Sequence, residues 1–234
     1  MNDRLFDESW NFQFANTKEY THCYHSYPAM MIPQVARTLI SEFKPEHCDL
    51  LFDPYMGSGT SLVEAEIAGI NSVETDLNPL AQFIAHVKTI HFDVDKLERD
   101  LSDVQMVNLH YIPEEVKNTD FSRISNYSFW YSNDVLFRLE YLSQRIDELD
   151  EDIQLFFKIA LSEVVRECSF TRNSEFKRFK MSESQLKKFS PDVFGSFINK
   201  LTRNSAGLKD FNEITHSTYS KIYDFNTVKV SPLI

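Results

Sequence analysis

Glycine is scarce in this chain, with five in 234 residues. Cysteine is scarcer: Cys23, Cys48 and Cys168 are an odd, widely spaced set, which fits free thiols in a reducing compartment better than a disulfide framework. Long apolar runs are missing too. Hydrophobic stretches are short and broken by charge, and the opening MNDRLFDESWNF has neither a basic n-region nor an apolar h-region. Neither secretion nor a membrane span is expected, and the expected location is the cytoplasm. Bases are also in deficit, 24 Lys and Arg against 35 Asp and Glu, a net charge of −11. A phosphate backbone is attracted mainly by Lys and Arg, so this balance argues against a dedicated nucleic-acid binder. What remains, 42% hydrophobic residues in 27.4 kDa, is enough to build the core of one large domain or two small ones.

The scarce glycines are unevenly placed. Two of the five, Gly57 and Gly59, flank Ser58 in LFDPYMGSGTSLVEAEIAGINSVETDLNPLA, which runs from Leu51 to Ala81. Glycine serves where the backbone needs positive φ or must approach another molecule closely, so the pair marks a site. Before it, CDLLFD reads as a buried strand of a parallel sheet, covered on both faces and stopped by Asp53-Pro54. After it, Thr60 to Ala68 reads as a helix with Gly69 at its C-terminal cap. INSVETD reads as a second strand, and a further helix spans Leu80 to about Val87. Upstream, Pro33 opens a helix that ends before Pro45. Strand, glycine turn, helix, strand and acid form a βαβ unit of the doubly wound α/β class.

Spacing separates the ligands such a turn could hold. A phosphate loop needs a lysine after the second glycine, and none follows Gly59. The dinucleotide fingerprint needs a third glycine where Leu62 stands, so NAD or FAD is a minor option. In a nucleophile elbow the glycines lie two residues from the serine, whereas here they are its neighbours. A ligand with an adenosine and a charged tail but no phosphates fits better. Asp76, at the end of the second strand, can accept hydrogen bonds from two ribose hydroxyls, and the backbone of Gly57 to Gly59 at a helix N-terminus can meet an amino-acid moiety. S-adenosyl-L-methionine has these parts. The alternative is that Asp53-Pro54 and Asp76-Leu77-Asn78-Pro79 are only turns, which Asp, Asn and Pro favour in any case.

FDPYMGSGTSLVEA resembles the first motif of the S-adenosyl-L-methionine-dependent DNA amino-methyltransferases, roughly D-P-F-x-G-S-G-T followed by a helix, and ETDLNPLA resembles that family's next segment. HSYPAMMIPQVARTLI is similar to their N-terminal contacting motif, with Met30 where many members carry lysine, and RECSFTRNSEFKRFK looks like a stretch of some bacterial modification methylases. The resemblance implies a partial Rossmann-like methyltransferase fold. It implies that Tyr27 and Pro28 lie against the methionine part of the cofactor, and that Asp53, Pro54, Gly57, Ser58, Gly59 and Thr60 wrap methionine and sugar. Asp76 would bind the ribose hydroxyls, and Leu77 and Asn78 would flank the adenine.

The family's catalytic motif, [D/N/S]-P-P-[Y/F/W], is missing: none of the eight prolines is adjacent to another, and Ser231-Pro232 matches only its first half. The expectation is therefore a cofactor-binding part with no catalytic residue of its own, completed by a second methyltransferase subunit carrying that motif, in a restriction-modification setting. The complete enzyme would methylate the exocyclic amino group of adenine or cytosine in DNA, on a base flipped from its stack. An RNA guanine-N2 methyltransferase-like protein and a non-catalytic remnant or regulator are the alternatives.

Beyond residue 94 the pattern becomes mainly helical, so residues 1–94 are expected to form the cofactor-binding α/β part and 95–234 a helical region. Two amphipathic helices are expected over 135–149 and 153–168, with an acidic corner between them. Seven bases and three acids between Arg166 and Lys188 make one basic stretch in an acidic protein. Arg172, Lys177, Arg178 and Lys180 are its candidates for the DNA backbone, the alternative being a solvated face. His22, Cys23 and His25 carry ligand atoms but lack a second pair at finger spacing, so no metal is expected.

Overall fold

The computed structural model describes residues 7–106, 110–172, 179–215, 217–224 and 226. Pro33 opens α1 (Pro33–Phe43), its ring suited to the first helical turn where no intrahelical N–H bond is lost. Then follow β1 (Leu50–Asp53), α2 (Thr60–Ile67), β2 (Asn71–Thr75) and α3 (Pro79–Lys88). Gly69, at φ 71°, ends α2 as expected. Asn78 caps α3 by accepting the Leu80 N–H at 3.0 Å, with Pro79 next to it. The helical half comprises α4 (Val94–Gln105), α5 (Pro113–Val116), α6 (Tyr127–Trp130), α7 (Asn133–Asp147), α8 (Glu151–Glu167), α9 (Glu183–Leu186) and α10 (Val193–Ile214). The chain closes its described part with β3 (Ser220–Tyr223).

Two compact units interleave along the chain: one takes residues up to Cys23, Ala29–Ile90 and those from Lys209, the other Tyr24–Pro28 and His91–Leu208. The first holds a parallel sheet in the order β1-β2-β3. β3 has no counterpart in the sequence pattern. It is held by the Ser72 N–H on the Tyr219 carbonyl (2.9 Å), the Tyr219 N–H on Asn71 Oδ1 (3.1 Å) and the Ser72 hydroxyl on Ser220 Oγ (3.0 Å).

Register puts Leu51, Asp53, Ser72, Glu74, Ser220 and Ile222 on one face of this sheet, and Ile222 packs on Met56, Leu62 and Ala85. The other face corrects an expectation. β1 is not covered on both sides: Leu50 is 45% and Phe52 47% exposed, because among the described residues β1 is an edge strand whose odd and even residues see different surroundings.

In the second unit α7 and α8 fall where the apolar periodicity puts them. α7 buries Val135, Leu139, Leu142 and Ile146, and α8 buries Ile153, Phe156, Phe157, Ala160 and Val164. Tyr24 and Phe92 both stack edge-on against Phe156, at 5.7 and 5.5 Å between ring centroids. Cys168 is fully buried at the end of this stripe. No helix among the described residues is long and apolar enough to cross a membrane.

Candidate cofactor site

The turn between β1 and α2 is built by its own sequence and then tied to the end of β2. Asp53 shapes its entry, accepting the Tyr55 N–H at 2.9 Å on one carboxylate oxygen and the Ser61 hydroxyl at 2.5 Å on the other. Gly57 (φ 55°) and Gly59 (φ 74°) both lie in the left-handed region, which is the conformational reason for spending glycine here. Gly59 has a second reason. A Cβ built on it would meet the Ala85 Cβ at 2.7 Å, so its absence lets the start of α2 close on α3.

Three bonds join the turn to β2. The Met56 N–H donates to the Thr75 carbonyl at 3.2 Å, the Thr75 hydroxyl to the Pro54 carbonyl at 2.9 Å, and the Gly57 N–H to Asp76 Oδ2 at 3.0 Å. Asp76 therefore faces the glycine turn. Its other oxygen takes the Asn78 N–H at 2.8 Å, and Gln82 holds its carbonyl at 2.7 Å. The Gly59 N–H goes to the Met56 carbonyl at 3.0 Å, so the N–H groups of both glycines are engaged within the turn rather than presented to a ligand carboxylate.

Ser58 is different: its Oγ is buried and has no hydrogen-bond partner among the described residues. A hydroxyl between two left-handed glycines, in a turn whose Gly57 N–H is tied to the Asp76 carboxylate, gives a set of polar groups suited to a small polar ligand with ribose hydroxyls. S-adenosyl-L-methionine fits that set. Thr60 begins α2 with its hydroxyl 3.5 Å from the Met31 carbonyl, and Leu77, 57% exposed, stands beside Asp76.

Tyr27 and Pro28 belong to the second unit, where an internal carboxylate holds their segment. Glu163 of α8 accepts the Ser26 N–H at 3.1 Å and pairs with Arg203 (2.8 Å) and Lys200 (3.1 Å), and Arg203 also donates to the Tyr24 carbonyl at 3.3 Å. Burial acts to raise the Glu163 pKa, but Arg203 and Lys200 outweigh it and hold the group at about 2. Ala29, next along the chain, takes a left-handed φ of 56°, uncommon for a residue with a side chain.

Of the four basic candidates, Lys177 and Arg178 lie outside the described residues. Arg172 is exposed and pairs its N–H with the Phe179 carbonyl at 2.9 Å. Lys180 is half-buried, with Nζ 3.9 Å from the Phe129 ring centroid and 5.6 Å from that of Phe170.

Sequence reasoning overlooked buried ionisable groups in these segments, among them Glu163, Glu74, Glu64 and Lys88. Lys88 did leave a signal. It follows Ala81, Ile84 and Ala85 on the buried stripe of α3, at seven, four and three residues' distance. His22, by contrast, is engaged as a structural group. Its Nε2 lies 2.9 Å from Glu64 Oε1, and Glu64 is also gripped by two nitrogens of Arg37, at 2.7 and 2.9 Å. Burial lowers the His22 pKa despite the carboxylate beside it. Burial raises that of Glu64, but His22 and Arg37 overcome the rise.

A parallel sheet with a glycine turn between its first strand and the following helix, closed by an acid from the next strand, defines a partial Rossmann-like methyltransferase fold with a largely helical second half. The comparisons agree. The chain is 40% identical over 211 residues to Type II methyltransferase M.MvaI of Kocuria varians, covering 86% of this chain and 46% of that protein. It is 35% identical over 161 residues to Type II methyltransferase M.MjaII of Methanocaldococcus jannaschii, covering 63% and 28%. It is 23% identical over 160 residues to Type II methyltransferase M.BsoBI of Geobacillus stearothermophilus, covering 68% and 31%. The chain is similar to these Type II methyltransferases, and it spans less than half the length of these curated relatives. No protein-family model and no solved structure matches it.

Proposed function

We propose that this chain is the S-adenosyl-L-methionine-binding part of a site-specific DNA methyltransferase. The observation that carries the reading is Asp76 facing the Gly57 N–H at 3.0 Å, which sets a carboxylate at the rim of the turn where ribose hydroxyls would bind. The cofactor supplies a methyl carbon made electrophilic by its sulfonium. Ser58 Oγ, Asp53, Pro54 and Thr60 would line the methionine and sugar, Leu77 and Asn78 the adenine, and Tyr27 and Pro28 the methionine end.

Transfer to the exocyclic amino group of adenine or cytosine needs acceptors for the amino hydrogens and a ring to stack on the flipped base. This sequence has no adjacent prolines to supply the family's motif. We assign that role to further polypeptide, a second subunit or another stretch of one chain. The open side of β1, where Leu50 and Phe52 are about half exposed, supports a surface completed from outside the described residues. Arg172, Lys177, Arg178 and Lys180 are the proposed contacts to the DNA backbone.

Calorimetry with S-adenosyl-L-methionine on the wild type and Asp76→Ala tests the reading. The wild type is expected to bind well below a millimolar Kd, tighter than about −4 kcal/mol, and the variant at least about tenfold more weakly. No heat from the wild type sinks the cofactor assignment. A methyl-transfer assay on DNA, with and without the product of the adjacent gene, then tests completion by a second chain.

A further inference from the structure

Resting on the reading of the turn as a methyl-donor site, we propose that Lys88 is its positioning residue: from inside the protein it fixes the orientation of the Ser58–Gly59 peptide and so the shape of the donor-facing turn. Lys88 ends α3, fully buried, and its Nζ donates to the Ser58 carbonyl at 2.9 Å. The same peptide is gripped at its other end, where the Gly59 N–H donates to the Met56 carbonyl at 3.0 Å. With carbonyl and N–H both held, the peptide plane cannot rotate. That keeps Gly59 at φ 74° over Ala85, and keeps Ser58 Oγ where it has no partner among the described residues.

The choice of residue carries information. A methionine would fill a similar space at the end of an apolar stripe without the cost of burying an amine. The buried nitrogen here meets a main-chain oxygen of the turn rather than a carboxylate. The charged and titratable groups around it are Lys18 and Cys23, with His22 of the His22–Glu64–Arg37 cluster also within electrostatic reach. Burial, with the like charge of Lys18 next, brings Lys88 down to about 7.

The test uses Lys88→Met, Lys88→Gln, whose amide can still donate, and the wild type, each labelled with ¹⁵N-glycine and titrated with S-adenosyl-L-methionine. Folded Lys88→Met is expected to bind at least about tenfold more weakly, with the Gly57 and Gly59 amide resonances moved and that of Gly195 unmoved. Lys88→Gln is expected to recover part of both effects, which loss of packing alone would not produce. A wild-type Kd in Lys88→Met, or unmoved Gly57 and Gly59 resonances whatever the Kd, overturns the role of Lys88. No binding by the wild type is a separate result that overturns the donor reading itself. Should Lys88→Met not fold, a pH series on the wild type without ligand decides: a Gly59 amide that moves with a midpoint near 7 supports the proposal, and one that stays flat from about pH 6 to about pH 9 overturns it.

Discussion

Asp53 and Glu74 are paired in register on β1 and β2, and the two carboxyl groups are treated very differently by the fold. Asp53 is half-buried with hydrogen bonds on both oxygens, while Glu74 is fully buried and, with the Ser61 hydroxyl committed to Asp53, has no hydrogen-bond partner on either oxygen among the described residues. Burial first, then the charge of Asp53, pushes Glu74 up to about 9, so it is a neutral acid at physiological pH. The folded state holds this proton more tightly than the unfolded state. Stability therefore falls as pH rises from the ordinary value of 4.5 toward about 9. Glu74→Gln should flatten that slope and stabilise the protein at about pH 8 by at least about 1 kcal/mol. Urea unfolding at several pH values checks it, and an unchanged slope would show that Glu74 does not titrate in this way.

Glu163 has the opposite sign. Its folded pKa of about 2 lies below the ordinary 4.5, so its contribution is fully present above 4.5 and is lost as pH falls toward 2. Glu163→Gln removes the carboxylate that Arg203 and Lys200 share, leaving Lys200 its second pair with Glu167 at 2.9 Å, and loosens the segment around Ser26. A loss of about 3 kcal/mol at neutral pH is expected, together with a shallower decline in acid. Chemical denaturation from neutral pH down to about pH 3 measures both.

Gly59→Ala combines a left-handed φ with a Cβ placed 2.7 Å from that of Ala85. The expected cost is about 2 to 4 kcal/mol, because backbone strain and a forced separation of α2 from α3 act together. Thermal unfolding checks it. A change within error would mean that the turn has room which the geometry denies.

The His22–Glu64–Arg37 cluster should be costly to break and cheap to replace. Glu64→Met alone strands His22 and leaves Arg37 only its pair with Glu19 at 3.2 Å, and is expected to cost about 3 kcal/mol. Combined with Arg37→Met and His22→Leu, most of that loss should return, since no charge is then left buried. If single and triple variants unfold at the same denaturant concentration, the ion pairs contribute nothing specific.

Much of the first unit is legible because its signals are local. Pro33, Asn78-Pro79 and Gly69 mark helix ends by their own backbone chemistry, and Gly57 and Gly59 mark a turn that other residues could not adopt without strain. The periodicity of α7 and α8 is likewise readable from neighbours three and four residues apart. β3 is not, because Ser220–Tyr223 becomes a strand only through pairing with β2, across a long stretch of intervening chain. α10 escapes assignment for a related reason: its scattered Ser, Thr and Asn mask an apolar face that Phe194, Phe197, Leu201 and Leu208 reveal only when buried.

The sequence by itself determined the order of strand, turn and helix, the left-handed backbone around Ser58, and the acid placed after β2, since each depends on the stereochemistry of a few consecutive residues. Tertiary structure alone decided which ionisable groups are buried and what they hold. Lys88 reaching the Ser58 carbonyl, Glu74 kept protonated, Glu163 holding Ser26 and one side of β1 left open all depend on desolvation and on groups far apart in the chain. Burial sets the energy of a charge, and burial is a property of packing that no short window of residues contains.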